Sequence, residues 1–426
     1  MKSNKIRIIV IMIIVFLVGY YLGVSQIAWD WNNFQPTVQI TSKEPPPSVQ
    51  FADVNRMWGV LEKIESLYYD KTAINANKLL DGAIAGMVSS LGDPYTLYLP
   101  PQQNTNFKQG LAGQFEGIGA ELGLKGKDVT VVAPLDGSPA SKAGIKAGDI
   151  IIKVDGQSIS GMDLNQIVDK IRGPKGTAVT LTVIHKGDKS TVDLKVVRDT
   201  ITVKSLLTWT KKVKDIEGIN HKADDLSQAG DDKIIYIRLS EFGDNTNAEW
   251  QKIALSISQQ LKKDTSIKGV VFDLRNNPGG YLNDAVYIAS EFIKSGTAVM
   301  QEDKDKKRLA YPVTGKGLLT DVPVIVLINK GSASASEIVS GALRDHDRAE
   351  LIGENSFGKG TIQQAEDLGD GAGLHVTIAK WLTPNATWVG NGKNGKGLAP
   401  DIAVSLNPKE PTHDTQLEKA VEELVK

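Results

Sequence analysis

The chain has 426 residues, enough for two or three domains, and 41% are hydrophobic against 23% charged, a globular balance. Its 49 basic and 50 acidic side chains nearly cancel, so no overall field draws it to nucleic acid, and that class is set aside. It has no cysteine, which excludes disulfides, thiolate nucleophiles, Fe–S clusters, thiolate zinc sites and a lipid anchor on an N-terminal cysteine.

Residues 1–7 carry Lys2, Lys5 and Arg7, and an uncharged apolar run follows over 8–24. At ~1.5 Å per residue that run reaches ~26 Å, the short end of a membrane span. Positive charge stays on the cytoplasmic side. The expectation is a single-pass anchor in the cell membrane with everything after it extracytoplasmic. The alternative is a signal peptide cleaved near Gly23-Val24-Ser25, giving a secreted protein. Residues 25–50, with Pro36 and Pro45-Pro46-Pro47, read as a linker.

A helical region is expected over 51–111. Val54, Met57, Trp58, Leu61, Ile64 and Tyr68 recur at helical spacing, as do Leu80, Ala83, Ile84, Met87, Val88 and Leu91. Both patterns predict amphipathic helices that pack on a neighbour, either in the same chain or in a second copy, so a homodimer is one expected partner.

Over 112–200 short β-branched runs (129–132, 150–154 and 179–184) alternate with Gly/Asp/Pro turns and one helical stretch at 163–171. This predicts a small, mostly β module. From 201 to 410 strands and helices alternate: strand 234–239, helix 247–261, strand 268–274, helix 282–293, strand 322–328 and helix 335–343. That order predicts a layered α/β domain. A last helix within 411–426 places Leu417, Val421 and Leu424 on one side. There are no internal repeats.

Three segments carry chemistry. Residues 323–338 read as a buried strand, a small-residue turn with Ser332, Ser334 and Ser336, then a helix. A serine at such a junction faces outward beside unpaired helix N–H groups. The same serines also suit a helix cap, and the residues alone do not choose among the three. A serine hydroxyl needs a base. Of the five histidines only His346 and His375 fall where a Ser-His site would be built. Lys359, between Gly358 and Gly360, is the stronger base candidate, because burial would push its amine toward the neutral form. Gln363 follows four residues on, so in an extended strand it shares a face with Lys359 and orients it without adding charge. In the turn over 273–280, Pro278 removes one donor, and Gly279 and Gly280 expose the next N–H groups. They would form half of an oxyanion hole, with the Ala335 amide as the other half.

Taken together, Asp-Leu-Arg-Asn-Asn-Pro-Gly-Gly at 273–280, Lys-Gly-Ser-Ala-Ser-Ala-Ser-Glu-Ile at 330–338 and Phe-Gly-Lys-Gly-Thr-Ile-Gln at 357–363 resemble the carboxy-terminal processing proteases, serine peptidase family S41. Gly-Asp-Pro-Tyr-Thr at 92–96, Tyr-Ile-Arg-Leu-Ser-Glu-Phe at 236–242 and Gly-Leu-Ala-Pro-Asp-Ile at 397–402 match further landmarks of that family. The resemblance implies a serine endopeptidase with Ser334 as nucleophile, Lys359 as base and Gln363 orienting it. It implies protein or peptide substrates and no metal or other cofactor. Thr361-Ile362 and Asn385-Ala386 depart from the commoner residues at their positions.

The β module resembles a PDZ domain, on Ser-Pro-Ala-Ser-Lys-Ala-Gly-Ile-Lys-Ala-Gly-Asp at 138–149 and the Ile-Ile-Ile-Lys-Val-Asp-Gly that follows it. This implies that Gly117, Ile118 and Gly119 form a carboxylate-binding loop, with the peptide adding as a strand. Arg172 is the implied transmitter of a gating signal. The expected fold is thus a layered α/β peptidase core with an inserted PDZ domain and an N-terminal helical region. Two other readings are a Ser-His hydrolase and a catalytically silent PDZ scaffold at the membrane.

Overall fold

The computed structural model describes residues 55–426 except 126–127, 136, 163, 189, 203, 222–223, 391–396, 408 and 411, together with 12–14, 16, 27–32 and 35–40. The expected anchor over 8–24 falls mostly outside these residues. No helix among the described residues is long and apolar enough to cross a membrane. The chain divides into two units, residues 1–79 and 80–426.

In the first unit, β1 (Ile27–Asn32) pairs antiparallel with β2 (Gln35–Ile40), where the prolines suggested only a linker. Ile27, Trp29 and Trp31 alternate with other residues at a period of two, a strand signal the proline-based reading passed over. Helix α1 (Asn55–Leu67) has no buried side chain, and Met57, Trp58, Val60 and Leu67 are exposed.

In the second unit, after α2 (Ala76–Ser89) and before the β module, come β3 (Leu97–Leu99) and α3 (Pro101–Leu111). The module begins with β4 (Gln114–Gly117), β5 (Ala120–Lys125), β6 (Asp128–Pro134) and the short α4 (Pro139–Lys142). It continues with β7 (Ile150–Val154), β8 (Gln157–Ser158), α5 (Leu164–Ile171), β9 (Ala178–Ile184), β10 (Thr191–Val197) and β11 (Asp199–Thr202). Its sheet runs β10-β9-β7-β6-β5, with β8 on β7. The period of two in β9 sends Val179, Leu181 and Val183 inward against Ile167 and Ile171 of α5. Strand β4 pairs with β11, so the module's two chain ends meet.

The α/β core has two sheets. The larger runs β12 (Leu206–Lys212), β13 (Lys233–Leu239), β14 (Ile267–Asp273), β17 (Val324–Ile328), β18 (Glu350–Gly353) and β21 (Ile402–Ala403); α6 (Asp224–Gln228) lies between β12 and β13 in sequence. Only the β12–β13 pair is antiparallel. Its strands bury both faces. Ile235, Ile237, Val270, Phe272, Val324 and Val326 face α7 (Thr246–Lys263), α8 (Leu282–Phe292) and α9 (Ala335–Asp345). The intervening Ile234, Tyr236, Val271, Ile325 and Leu327 face Leu417, Ala420 and Val421 of α10 (Thr415–Val425). Burial on both faces explains the near-continuous apolar runs of the sequence. The second sheet runs β16 (Arg308–Pro312), β15 (Thr297–Glu302), β20 (Gly373–Leu382) and β19 (Thr361–Asp367). Strand β3 also pairs with β20, so chain before the β module and chain after it build one sheet, and the module is an insertion.

The end of β14 is tied to α10. Arg275 donates to Asp273, Asp414 and Gln416 at 2.6, 2.9 and 3.0 Å. Burial works against the Arg275 charge, but Asp273 and Asp414 outweigh it and push the pKa up. The turn after β14 is therefore pinned from below by the C-terminal helix.

Candidate active site

Strand β17 ends at a tight turn that leads into α9. Two of its three serines are built into the fold. Ser332 is fully buried, donates to the Leu274 carbonyl at 2.8 Å and accepts from the Asn329 N–H at 3.0 Å. Ser336 is fully buried and donates to the Asn277 carbonyl at 2.8 Å. Ser334 alone is partly exposed. It holds φ +54° and ψ −114°, a backbone conformation rare outside glycine, and sits as the residue before the first turn of α9. Of the three serines, only Ser334 is not fully buried with its hydroxyl donated to a backbone carbonyl.

The turn after β14 lies against it. A side chain at Gly279 would meet Ser334 Cβ at 2.7 Å and the Ala335 nitrogen at 2.9 Å, so only glycine permits the approach. Asn277 is fully buried and donates to the Leu239 carbonyl, while its own carbonyl accepts from the Ala333 N–H and the Ser336 hydroxyl. One expectation needs correction. The Gly279 N–H donates to Asn277 Oδ1 at 2.9 Å, so it does not point to an external oxyanion. Gly279 supplies the close approach. Gly280, exposed at φ +142°, and Ala335, first residue of α9, are the amides with no partner among the described residues.

Lys359 arrives from the second sheet, two residues before β19. Its backbone is held on every side. The fully buried Glu337, three residues after Ser334, accepts from the Ser334 N–H at 2.8 Å and the Lys359 N–H at 2.9 Å through one oxygen. Its other oxygen accepts from the Gly358 N–H at 2.7 Å and the Ser356 hydroxyl at 2.5 Å. One carboxylate thus joins the serine turn to the lysine turn. Burial raises its pKa, partly offset by these hydrogen bonds. The Lys359 carbonyl accepts from Trp381 Nε1 at 2.7 Å, and the Gly360 carbonyl from Trp388 Nε1 at 2.8 Å. Gly360 is required here, because a Cβ would lie 2.3 Å from the Gly390 nitrogen.

The Lys359 ammonium lies 5.4 Å from the centre of the Tyr95 ring. No carboxylate is within ion-pair distance of it among the described residues. Burial lowers its pKa below the ordinary lysine value, against the opposing charges of Asp93 and Glu337. Gln363, on β19, donates through Nε2 to the Thr361 hydroxyl at 2.9 Å and the Thr377 hydroxyl at 3.1 Å. No side-chain hydrogen bond joins Ser334 to Lys359 or Lys359 to Gln363 in this structure.

The histidines fit a Ser-His site poorly. His346 caps the end of α9 with Nε2 at 2.8 Å from the Thr297 carbonyl. His375 packs edge-on against Phe107, and burial together with Lys359 lowers its pKa. No group of residues suited to holding a metal occurs among the described residues.

In the β module, Gly119 at φ +71° lies so close to Ser138 that a Cβ would meet it at 2.6 Å. The Ile118 and Gly119 carbonyls accept from Ala140 and Leu135, and their N–H groups have no partner among the described residues. Gly117 ends β4. Arg172 stacks over the Phe115 ring at 5.3 Å. It lines a cavity of about 240 Å³ together with Lys204, Ser205, Ser240 and Glu241.

The residues alone passed over Glu337, Asp93, Tyr95, Trp381 and Trp388. Only Glu337 had a local signal, the Ser-x-x-Glu pattern of a helix start at 334–337. The others meet Lys359 only through sheet pairing.

Comparison with known proteins agrees with this architecture. Residues 233–404 match the model of peptidase family S41, 130–184 that of a PDZ domain, and 13–103 that of the N-terminal domain of the activating protease CtpB. The carboxy-terminal processing protease CtpB of Bacillus subtilis is 36% identical over 389 residues, covering 91% of this chain and 74% of that protein. The carboxy-terminal-processing protease of Bartonella bacilliformis is 37% identical over 393 residues, 92% of this chain and 82% of that protein. Among solved structures, the photosystem II D1 C-terminal processing protease matches with TM-score 0.50 and 29% identity, over 85% of this chain and 92% of that one. A serine-type peptidase with an inserted PDZ domain is the class these features define. The chain belongs to the carboxy-terminal processing proteases of peptidase family S41, and its substrates are proteins or peptides.

Proposed function

We propose that this protein is a serine endopeptidase in which Ser334 attacks the scissile carbonyl and Lys359 is the base. The observation that carries the reading is Glu337, whose one carboxylate oxygen accepts from the N–H of Ser334 and of Lys359. Neutral Lys359 Nζ takes the Ser334 hydroxyl proton as Oγ bonds to the carbonyl carbon. The N–H groups of Gly280 and Ala335 hold the oxyanion. Lys359 then gives its proton to the departing amine as the C–N bond breaks. Water, deprotonated by the same amine, cleaves the acyl-serine ester. Gln363 accepts a hydrogen from Lys359 and keeps its lone pair toward Ser334. The exposed rings of Tyr281 and Phe357 flank the site and would take apolar substrate side chains.

The PDZ module would seat a chain terminus on the Ile118 and Gly119 amides, with the peptide adding beside the edge strand β5. Arg172, at the cavity beside Glu241, would report that event to the core, because Phe242 hydrogen-bonds the Gly279 carbonyl at 2.9 Å. The apolar run over 8–24 would hold the enzyme to the cell membrane with its catalytic part extracytoplasmic. The exposed apolar side chains of α1 would meet a second copy.

The test is incubation of the purified protein with an unstructured protein, with and without a metal chelator, and mass spectrometry of the products. Internal cleavage at a chelator-independent rate is expected. An intact substrate, or cleavage abolished by the chelator, contradicts the reading.

A further inference from the structure

The amide orientation of Gln363 is fixed from outside the catalytic segments. Both hydrogens of its Nε2 are committed, one to Thr361 and one to Thr377. Only its carbonyl oxygen is left, so toward an amine Gln363 can act solely as acceptor. Thr377 is seated through its backbone, whose N–H donates to the Thr96 hydroxyl at 3.1 Å. A carboxylate only accepts, so the Thr96 hydroxyl gives its hydrogen to Asp93 Oδ2 and is left an acceptor for the Thr377 N–H.

Asp93 is itself held in place. Its Oδ1 accepts from the Tyr95 N–H at 3.0 Å and its Oδ2 from the Thr96 hydroxyl at 2.6 Å. Thr96, nearly buried, in turn accepts from the Thr377 N–H at 3.1 Å. Asp93 is bound to the backbone of Tyr95, the residue whose ring faces the Lys359 ammonium. Pairing of β3 with β20 brings the whole group to the base.

Building on the Ser334–Lys359–Gln363 reading, we propose that Asp93 is a positioning residue for the catalytic base: through Thr96 it seats Thr377, whose hydroxyl keeps Gln363 a pure acceptor, and its charge acts on protonated Lys359. The peptidase site is therefore complete only when the segment before the PDZ domain is docked on β20.

Lys359 is faced by Asp93 and Tyr95 from this segment, by Glu337 from α9 and by His375 from β20. Burial pushes the Asp93 carboxyl up, but side-chain and backbone hydrogen bonds, with the Lys359 charge, hold it below the ordinary value. Asp93 is thus an anion at neutral pH. An anion favours the protonated amine, so removing it lowers the Lys359 pKa. The activity governed by neutral Lys359 then sets in at lower pH.

The experiment is the pH dependence of cleavage of a fluorescently labelled unstructured protein by wild type, Asp93→Asn, Thr377→Val and Thr377→Ser, with kcat and KM separated. Asp93→Asn is expected to move the acid limb to lower pH. Thr377→Val is expected to lower kcat about tenfold, the worth of one lost hydrogen bond in the transition state, with KM and the acid limb unchanged. Thr377→Ser, which keeps the hydroxyl, is expected to restore kcat. A purely structural role would lower activity at every pH without moving the limb. An acid limb in Asp93→Asn that superimposes on wild type overturns the proposal, as does a Thr377→Ser variant no better than Thr377→Val. Wild-type activity in Lys359→Ala would instead remove the reading on which the proposal rests.

Discussion

Ser334→Ala is expected to abolish proteolysis, with kcat lower by on the order of 10⁴-fold or more, while the protein still folds. Removing the attacking oxygen removes the acyl-enzyme route, and only binding and the oxyanion donors are left. The fold tolerates the change because Ser334 lies partly exposed, and the bond that seats its backbone runs from its N–H to Glu337. Ser332→Ala and Ser336→Ala differ in kind. Each removes a buried hydroxyl's hydrogen bond to a carbonyl that keeps a backbone N–H partner, and costs ~0.5–1.5 kcal/mol of stability. The control for Ser334→Ala is an unchanged melting temperature beside lost cleavage.

Lys359→Met is expected to lose activity to a similar degree and to melt no lower than wild type. Burial disfavours the ammonium and depresses its pKa. A group whose folded pKa is depressed below its unfolded value weakens the fold at every pH below the unfolded pKa. That cost is largest at low pH and fades as pH rises toward the unfolded lysine pKa. Methionine has similar length and no charge, so the cost disappears with it. The same depression predicts that wild-type activity rises with pH through an acid limb below the ordinary lysine range, since only the neutral amine accepts a proton. Thermal melts and rates over a pH series check both statements. A lower melting temperature in Lys359→Met at acid pH would contradict the buried-amine account.

Much of the core was legible because its strands are buried on both faces. Strand 234–239 was expected and Lys233–Leu239 is found; helix 282–293 was expected and Leu282–Phe292 is found. The continuous β-branched runs need no partner to be recognised. The second sheet was not legible in the same way. Strand β19 lies at an edge, its side chains are largely exposed, and β20 pairs with the distant β3. No local period announces such pairing. The candidate site divides similarly. Ser334 and Lys359 were marked by their small neighbours and by family resemblance. What separates the three serines, the buried hydrogen bonds of Ser332 and Ser336, could not be read from their spacing. Gly279 was expected to donate to the oxyanion because a glycine exposes its amide, but the neighbouring Asn277 side chain takes that N–H. The role of Gln363 was expected from its even spacing, whereas its actual partners, Thr361 and Thr377, set its orientation.

The most direct measurement is reaction of the wild-type protein with a fluorophosphonate, followed by peptide mapping of the modified residue. A Ser-Lys nucleophile gives one adduct, on Ser334, formed faster as pH rises through the Lys359 acid limb. An adduct on Ser332 or Ser336, or equal labelling of Lys359→Met, would contradict the assignment of Ser334 and Lys359 as the catalytic pair.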